Sequence, residues 1–142
     1  MRSKSTGLPC ITAQTGGVCA KRSLPRASNW SKISGCTGRA AENLAAQFLA
    51  RAGYRVVQRN LRIPGGEIDI VCRDGDTVVF VEVKARSTRR YGSALSAVDA
   101  RKRATLRRLA ADYMQIAAPH ARFRFDVLAV DEGRVTLHRN AF

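Results

Sequence analysis

The stretch Glu67-Ile68-Asp69-Ile70-Val71-Cys72-Arg73-Asp74-Gly75-Asp76-Thr77-Val78-Val79-Phe80-Val81-Glu82-Val83-Lys84 decides how this chain is read. Two apolar, β-branched runs flank Asp74-Gly75, a tight-turn pair, so the segment predicts a β-hairpin over residues 67–86. Strand side chains alternate faces, which puts Phe80, Glu82 and Lys84 on one side and Glu67 with Asp69 on one side. Asp69 then lies opposite the Glu-x-Lys pair across the ladder. Two carboxylates and a lysine on one face of an otherwise apolar sheet are costly to bury. Carboxylates hold a hard divalent cation, and a lysine beside them can meet a phosphate or a polarised water. The bland reading is a salt bridge on an exposed face, worth little. Phe80, Val81 and Val83 speak against it, because they mark a well-buried strand rather than an exposed one.

Outward from the hairpin, residues 38–52 read as a helix with an apolar stripe of Ala41, Leu44, Ala45, Phe48 and Ala52. Thr37 serves as its N-cap and Gly53 as a left-handed terminator. Residues 54–60 read as a strand and 61–66 as a turn, on the strength of Pro64-Gly65-Gly66. After the hairpin, residues 87–95 form a loop. Residues 97–117 form a long helix, with Ser96 and Asp99 as its capping box. Its apolar side is Leu106, Leu109, Tyr113 and Ile116; its cationic side is Arg101, Lys102, Arg103, Arg107 and Arg108. Pro119 ends it. Residues 122–130 and 133–138 read as strands, the first carrying Asp126 as a structural acid paired with an arginine. The order of helix, three strands, helix and two strands describes an α/β domain with a mixed sheet of about five strands flanked by two main helices.

The chain has 142 residues, enough for one small domain, and 45% of them are hydrophobic. Its 25 Lys and Arg against 11 Asp and Glu give a formal charge of +14. Such an excess points to a polyanion, nucleic acid ahead of a membrane surface. The alternative is a solvated basic surface rich in Arg. No apolar run has the length of a membrane span. The cysteines, Cys10, Cys19, Cys36 and Cys72, form no CxxC pair and have no His at ligand spacing, which argues against zinc and fits reduced thiols in a cytoplasm. Cys72 reads as a small core residue. Residues 1–36 carry six basic residues and no acid, are rich in Ser, Thr and Gly, and lack apolar periodicity. They predict a disordered basic N-terminal extension ahead of an α/β domain over 37–142. An arm for nucleic acid, or a start placed too far upstream, ranks above an organellar transit peptide.

The run Gly65-Gly66-Glu67-Ile68-Asp69-Ile70, followed by Phe80-Val81-Glu82-Val83-Lys84, resembles the YraN family of bacterial proteins. The resemblance continues through Arg90-Tyr91-Gly92, Ala97-Val98, Arg101-Lys102 and Arg124-Phe125-Asp126-Val127, covering about residues 38–137. That family is similar to archaeal Holliday junction resolvases and to the restriction-endonuclease-like fold, whose signature is an early Glu, an Asp and a Glu-x-Lys. The resemblance implies Glu42 as the early acid, Asp69 as a metal-binding Asp, and Glu82 and Lys84 as the Glu-x-Lys. This chain departs from the pattern at Ala41, where Gly is usual, and at Asn43, where an acid is common.

Phosphodiester hydrolysis needs charge neutralised at the phosphate and a water activated, which one or two Mg²⁺ or Mn²⁺ ions can supply. Asp69 and Glu82 would hold such an ion. The Val83 carbonyl lies between them on the strand as a further ligand, and Glu42 would bind a second ion or a metal-bound water from the helix. Lys84 would orient the water or steady the developing charge. Arg86, Arg89, Arg90 and Tyr91, with Arg101, Lys102 and Arg108, are the candidate nucleic-acid contacts: arginines for phosphates, the tyrosine for stacking. Three readings follow: a Mg²⁺-dependent endonuclease on branched or otherwise structured DNA, a nucleic-acid-binding module of the same fold with little turnover, and a partner-binding protein whose acids serve stability. A homodimer fits the resemblance, because a junction presents two related strands.

Overall fold

A computed structural model describes residues 38–86, 98–131 and 134–142. The expected basic extension, the Thr37 cap, and the loop with Arg89, Arg90 and Tyr91 lie outside the described residues. The elements are α1 (Gly38–Arg51), β1 (Arg55–Ile63), β2 (Gly66–Asp74), β3 (Thr77–Arg86), α2 (Ala100–Ala117), β4 (Arg122–Asp131) and β5 (Arg134–His138).

The five strands lie in one sheet in chain order, antiparallel except for the parallel β3–β4 pair. A parallel pair needs a crossover, and α2 lies in that connection. The helices cover opposite faces. α1 packs on Ile70, Cys72, Val79, Val81, Leu128 and Val130. α2 packs on Ile68, Val71, Val78, Phe80, Phe125 and Val127. A strand covered on both faces must be apolar at consecutive positions, which is why β3 reads Val-Val-Phe-Val without alternation. This is the α/β architecture with a five-stranded mixed sheet that the sequence predicts, and it is consistent with the restriction-endonuclease-like class.

The whole predicted stripe of α1 is buried, together with Leu49. The helix ends as expected: Gly53 has φ 89°, its N–H reaches the Ala50 carbonyl, and the Tyr54 N–H reaches Leu49. Three expectations need correction. β1 does not stop at Asn60; it runs to Ile63, and the turn shrinks to Pro64-Gly65, with Ile63 paired to Gly66. Leu61 and Ile63 pack against the α2 cluster, and that burial extends the strand up to the breakers. α2 starts at Ala100, three residues later than predicted, because Asp99 is itself the N-cap and accepts from the Lys102 N–H at 2.7 Å. Ile116 is exposed rather than buried. The buried stripe runs through Leu106, Leu109, Ala110 and Met114, and Ile116 lies about 200° around the helix from Met114.

One irregularity positions everything that follows. On β2, Ile68 faces α2, yet Ile70 faces α1, although residues two apart on a strand share a face. On β1, Arg59 pairs with Ile70 and Leu61 with Ile68 in unbroken register, so the change of face carries over to β1 at Asn60, whose φ is 50°; the register shift of this pair lies further back, between Val56 and Gln58. Both strands therefore kink together at Asn60 and Asp69. The pairing of β2 with β3 ends one step away, at Ile70 opposite Val81.

Candidate functional site

The expected ladder position for Asp69, opposite Glu82, does not exist, because the strands have already parted there. Asp69 instead turns its carboxylate into the gap and takes the ladder bond itself: the Val83 N–H donates to its Oδ2 at 2.8 Å. The N–H and C=O of one strand residue point to the same edge, so the Val83 carbonyl also opens toward Asp69. The slip corrects a second expectation, since Glu67 no longer shares regular alternation with Asp69. Glu67 accepts from Asn60 and from the exposed Arg62.

Glu82 stands on the α2 face of β3 and is 3% exposed. Lys84 Nζ donates to its Oε1 at 2.8 Å. Lys102 Nζ, from the first turn of α2, stands 3.2 Å from Oε2. The second contact is an ion pair without hydrogen-bond alignment, so Oε2 is buried with no hydrogen bond. Asp69 is pushed up to about 6, first by burial and next by the charge of Glu82. The Val83 N–H and Lys102 oppose that shift, and Glu42 adds slightly to it. Two carboxylates are thus held in one partly dry gap against their mutual repulsion, with two lysines as the compensating charge.

Glu42 is further out. Its Oε2 accepts from Asn60 Nδ2 at 2.7 Å, and the same amide reaches Glu67 at 3.3 Å. Asn43, where the resemblance leads one to expect an acid, accepts from Arg59 at 2.5 Å and ties α1 to β1. Among the described residues no three His, Cys, Asp or Glu side chains gather as a metal-ligand cluster, so Glu42 does not join Asp69 and Glu82 in one such group. The donor set that does come together is two carboxylates and a strand carbonyl. That set fits Mg²⁺, which keeps several waters and needs one or two protein carboxylates. The orphaned Oε2 of Glu82 is the observation that makes the fit.

The predicted cationic face of α2 is dispersed. Lys102 turns into the site instead of outward. Arg108 clamps the β1–β2 turn, donating to the carbonyls of Pro64 at 3.2 Å and Gly65 at 3.1 Å. Gly65 has φ 92°, a conformation that favours glycine, and a Cβ there would push that guanidinium aside. Arg107 lies over the ring of Phe142, and Arg101 is exposed. The backbone of Arg86 ends β3, paired with Asp131.

Sequence reasoning missed Asn60 and the contact between Lys102 and Glu82. An Asn in a predicted strand end was a signal for positive φ. Nothing in the periodicity of α2 reveals that Lys102 reaches a buried acid on another element.

Asp126 is fully buried and structural, as expected. It accepts from Arg124 Nε at 3.0 Å and from the Asn140 N–H at 2.9 Å. Cys72 is buried, and its thiol is pushed up to about 12 by burial and then by Asp126, which leaves it inert. No described helix is long and apolar enough to cross a membrane.

The model of the Uncharacterised protein family UPF0102 matches residues 41–130. A UPF0102 protein of Shewanella sediminis is 43% identical over 114 residues, spanning 80% of this chain and 97% of the relative. One from Symbiobacterium thermophilum is 45% identical over 111 residues, 74% of this chain and 94% of the relative. One from Moorella thermoacetica is 49% identical over 94 residues, 66% of this chain and 78% of the relative. This chain belongs to the UPF0102, or YraN, family, as the hairpin residues led one to expect.

Proposed function

We propose that this protein is a divalent-metal-dependent endonuclease that hydrolyses phosphodiesters in DNA, with branched DNA as its preferred form. The observation that carries the reading is the gap beside the β2–β3 ladder. There Asp69 and Glu82 are crowded together, Glu82 keeps its buried Oε2 without a hydrogen bond, and Lys84 donates to the other oxygen, Oε1, at 2.8 Å. A fold does not crowd two acids together and leave one buried carboxylate oxygen without a hydrogen bond for the sake of stability, because such an oxygen costs free energy.

Asp69, Glu82 and the Val83 carbonyl would hold Mg²⁺ or Mn²⁺, which when bound neutralises phosphate charge and lowers the pKa of a water. The chain's own groups do the rest. The Val83 N–H fixes the Asp69 carboxylate, so its free oxygen has one direction. Lys84, partly exposed beside Glu82, presents an ammonium where negative charge develops on the phosphate. Glu42, steadied by Asn60, stands at the rim as a partner for an outer water. The exposed Arg101, with Arg86 at the end of β3 and Arg89, Arg90 and Tyr91 following it in the sequence, would position the backbone of the nucleic acid. A homodimer in the cytoplasm belongs to the same proposal, since two symmetric sites match the two related strands of a junction.

A second reading has its own observation. Both lysines of the site are already paired to Glu82, and among the described residues no third acid joins the pair. A protein of this fold that binds DNA without turnover fits that self-neutralised arrangement.

The test is cleavage of a labelled four-way junction, with linear duplex beside it, in Mg²⁺, in Mn²⁺ and in chelator. The expected result is metal-dependent cutting that Asp69→Asn and Lys84→Ala both abolish. Salt-sensitive binding without cutting moves the assignment to the binding module. Cutting that survives both substitutions rules out this site.

A further inference from the structure

Lys102 has no reason to be where it is if α2 only presents cations to solvent. Its neighbour Arg101 is exposed, yet Lys102 reaches inward to a carboxylate that is 3% exposed. Its backbone is pinned, because its N–H is the one Asp99 caps. Its side chain is not: about a third of it is exposed, so the ammonium keeps contact with water while it faces Glu82. The two lysines on Glu82 also differ. Lys84 makes an aligned 2.8 Å hydrogen bond to Oε1, whereas Lys102 stands 3.2 Å from Oε2 without one. Of the two, Lys102 is the looser partner and the one on a separate element.

The charges make the consequence plain. Asp69 and Glu82 carry two negative charges, Lys84 and Lys102 two positive ones. A divalent cation at the same carboxylates would meet an ammonium 3.2 Å from the very oxygen it needs. Two cations competing for one carboxylate oxygen repel strongly where water is scarce. One lysine has to leave.

Resting on the metal-site reading above, we infer that Lys102 is the resident counter-ion of Glu82 in the metal-free protein, and that when a divalent cation takes over this role the freed ammonium turns to a phosphate of the nucleic acid. Lys102 is thus a positioning residue with two positions. One keeps the empty site from flying apart; the other brings a cation to the substrate only when the site is loaded. DNA affinity and metal loading become coupled through one side chain, and coupling of this kind is reciprocal.

The experiment measures Mn²⁺ binding to the full chain by electron paramagnetic resonance, with no nucleic acid present, for the parent, Lys102→Gln and Lys102→Arg. The expected result is Mn²⁺ binding about ten-fold tighter in Lys102→Gln and close to the parent in Lys102→Arg, which keeps the charge. Binding of a labelled junction should move the other way, weakened in Lys102→Gln with Mn²⁺ present and unchanged in chelator. Equal or weaker Mn²⁺ binding by Lys102→Gln overturns the inference while leaving the metal-site reading intact. No Mn²⁺ binding by any of the three overturns both. A measurement on the unaltered protein guards against misfolding of the variant. The Lys102 Cε signal in a carbon–proton spectrum should shift toward that of a free lysine as Mg²⁺ is added, and a signal that stays fixed while the Lys84 signal moves overturns the inference.

Discussion

Asp126 and Glu82 are both acids in the core of one sheet, and they stand a single ladder step apart on adjacent strands. Val81 pairs with Asp126 and Glu82 pairs with Val127, so the two carboxylates face opposite sides. Their surroundings could hardly differ more. Asp126 is met by Arg124 and by the Asn140 N–H, and Arg124 also reaches Tyr54 and Asp74 at 3.0 Å. Every charge in that group has a partner with hydrogen-bond geometry. Glu82 has one aligned lysine and an oxygen with none, and a second acid, Asp69, is pressed toward it. Burial alone therefore says little about an acid's role. Satisfaction separates them: the closed network fastens the structure, and the open one, with its unbonded Glu82 oxygen, is what the metal-site proposal rests on.

The sharpest way to break that comparison is to remove each acid. Asp126→Ala takes from Arg124 its buried acceptor, leaving it Asp74 and Tyr54, and unties the segment at Asn140, so it should destabilise the fold by about 3–5 kcal/mol. Denaturant unfolding would read this as a fall in midpoint. A loss under about 1 kcal/mol would mean that the Arg124 network is ornamental and the contrast false.

Asp69→Asn should do the reverse. The folded-state pKa near 6 lies above the ordinary value of 3.8, so the native protein holds this proton more tightly than the unfolded chain does. Below about pH 4 both states are protonated and the group contributes nothing. Between 3.8 and 6 stability falls as pH rises, and above 6 the full cost of the charge is in place. Asn keeps the acceptor for the Val83 N–H and removes the charge. The variant should gain about 1–3 kcal/mol over the parent at pH 7.5 and nothing at pH 3.5. A difference that does not depend on pH would show that Asp69 is not strained by charge. A stabilising substitution that also abolishes cleavage is the signature of a functional acid.

The sequence reveals the apolar hairpin, the two helices and the sheet class because these depend on local periodicity and on Gly and Pro punctuation. Gly53 and the α1 stripe needed only residues a few positions away. Asp69, Glu82 and Lys84 were recognisable from spacing, but the way they meet was not. Alternation alone put Asp69 on a ladder rung that the Asn60–Asp69 slip removes, and a slip in two strands at once depends on how both helices press on the sheet. The contacts of Lys102 and Arg108 were hidden for a related reason. Periodicity groups them on the cationic side of a helix as candidate nucleic-acid contacts, and only tertiary packing reveals that one reaches a buried carboxylate and the other two turn carbonyls. Ile116 failed because the stripe is set by the sheet beneath it, not by the helix itself.

Asn60 offers the finest cut, because it joins the slip to the rim of the site. Its φ of 50° is one that Asn and Gly adopt more readily than other residues, and its amide bridges Glu42 and Glu67. The two contributions separate in two variants. Asn60→Gly keeps the backbone free to kink and loses only the bridge, so stability should change by about 0.5 kcal/mol or less, since exposed hydrogen bonds contribute little net. Asn60→Ala adds the left-handed strain of about 1 kcal/mol. If the kink is what holds Asp69 in the gap, Mn²⁺ affinity should survive in Asn60→Gly and weaken in Asn60→Ala. Equal affinities in both variants would detach the slip from the carboxylate pair. Weakening in both alike would give the amide bridge to Glu42, rather than the backbone, the larger part in shaping the site.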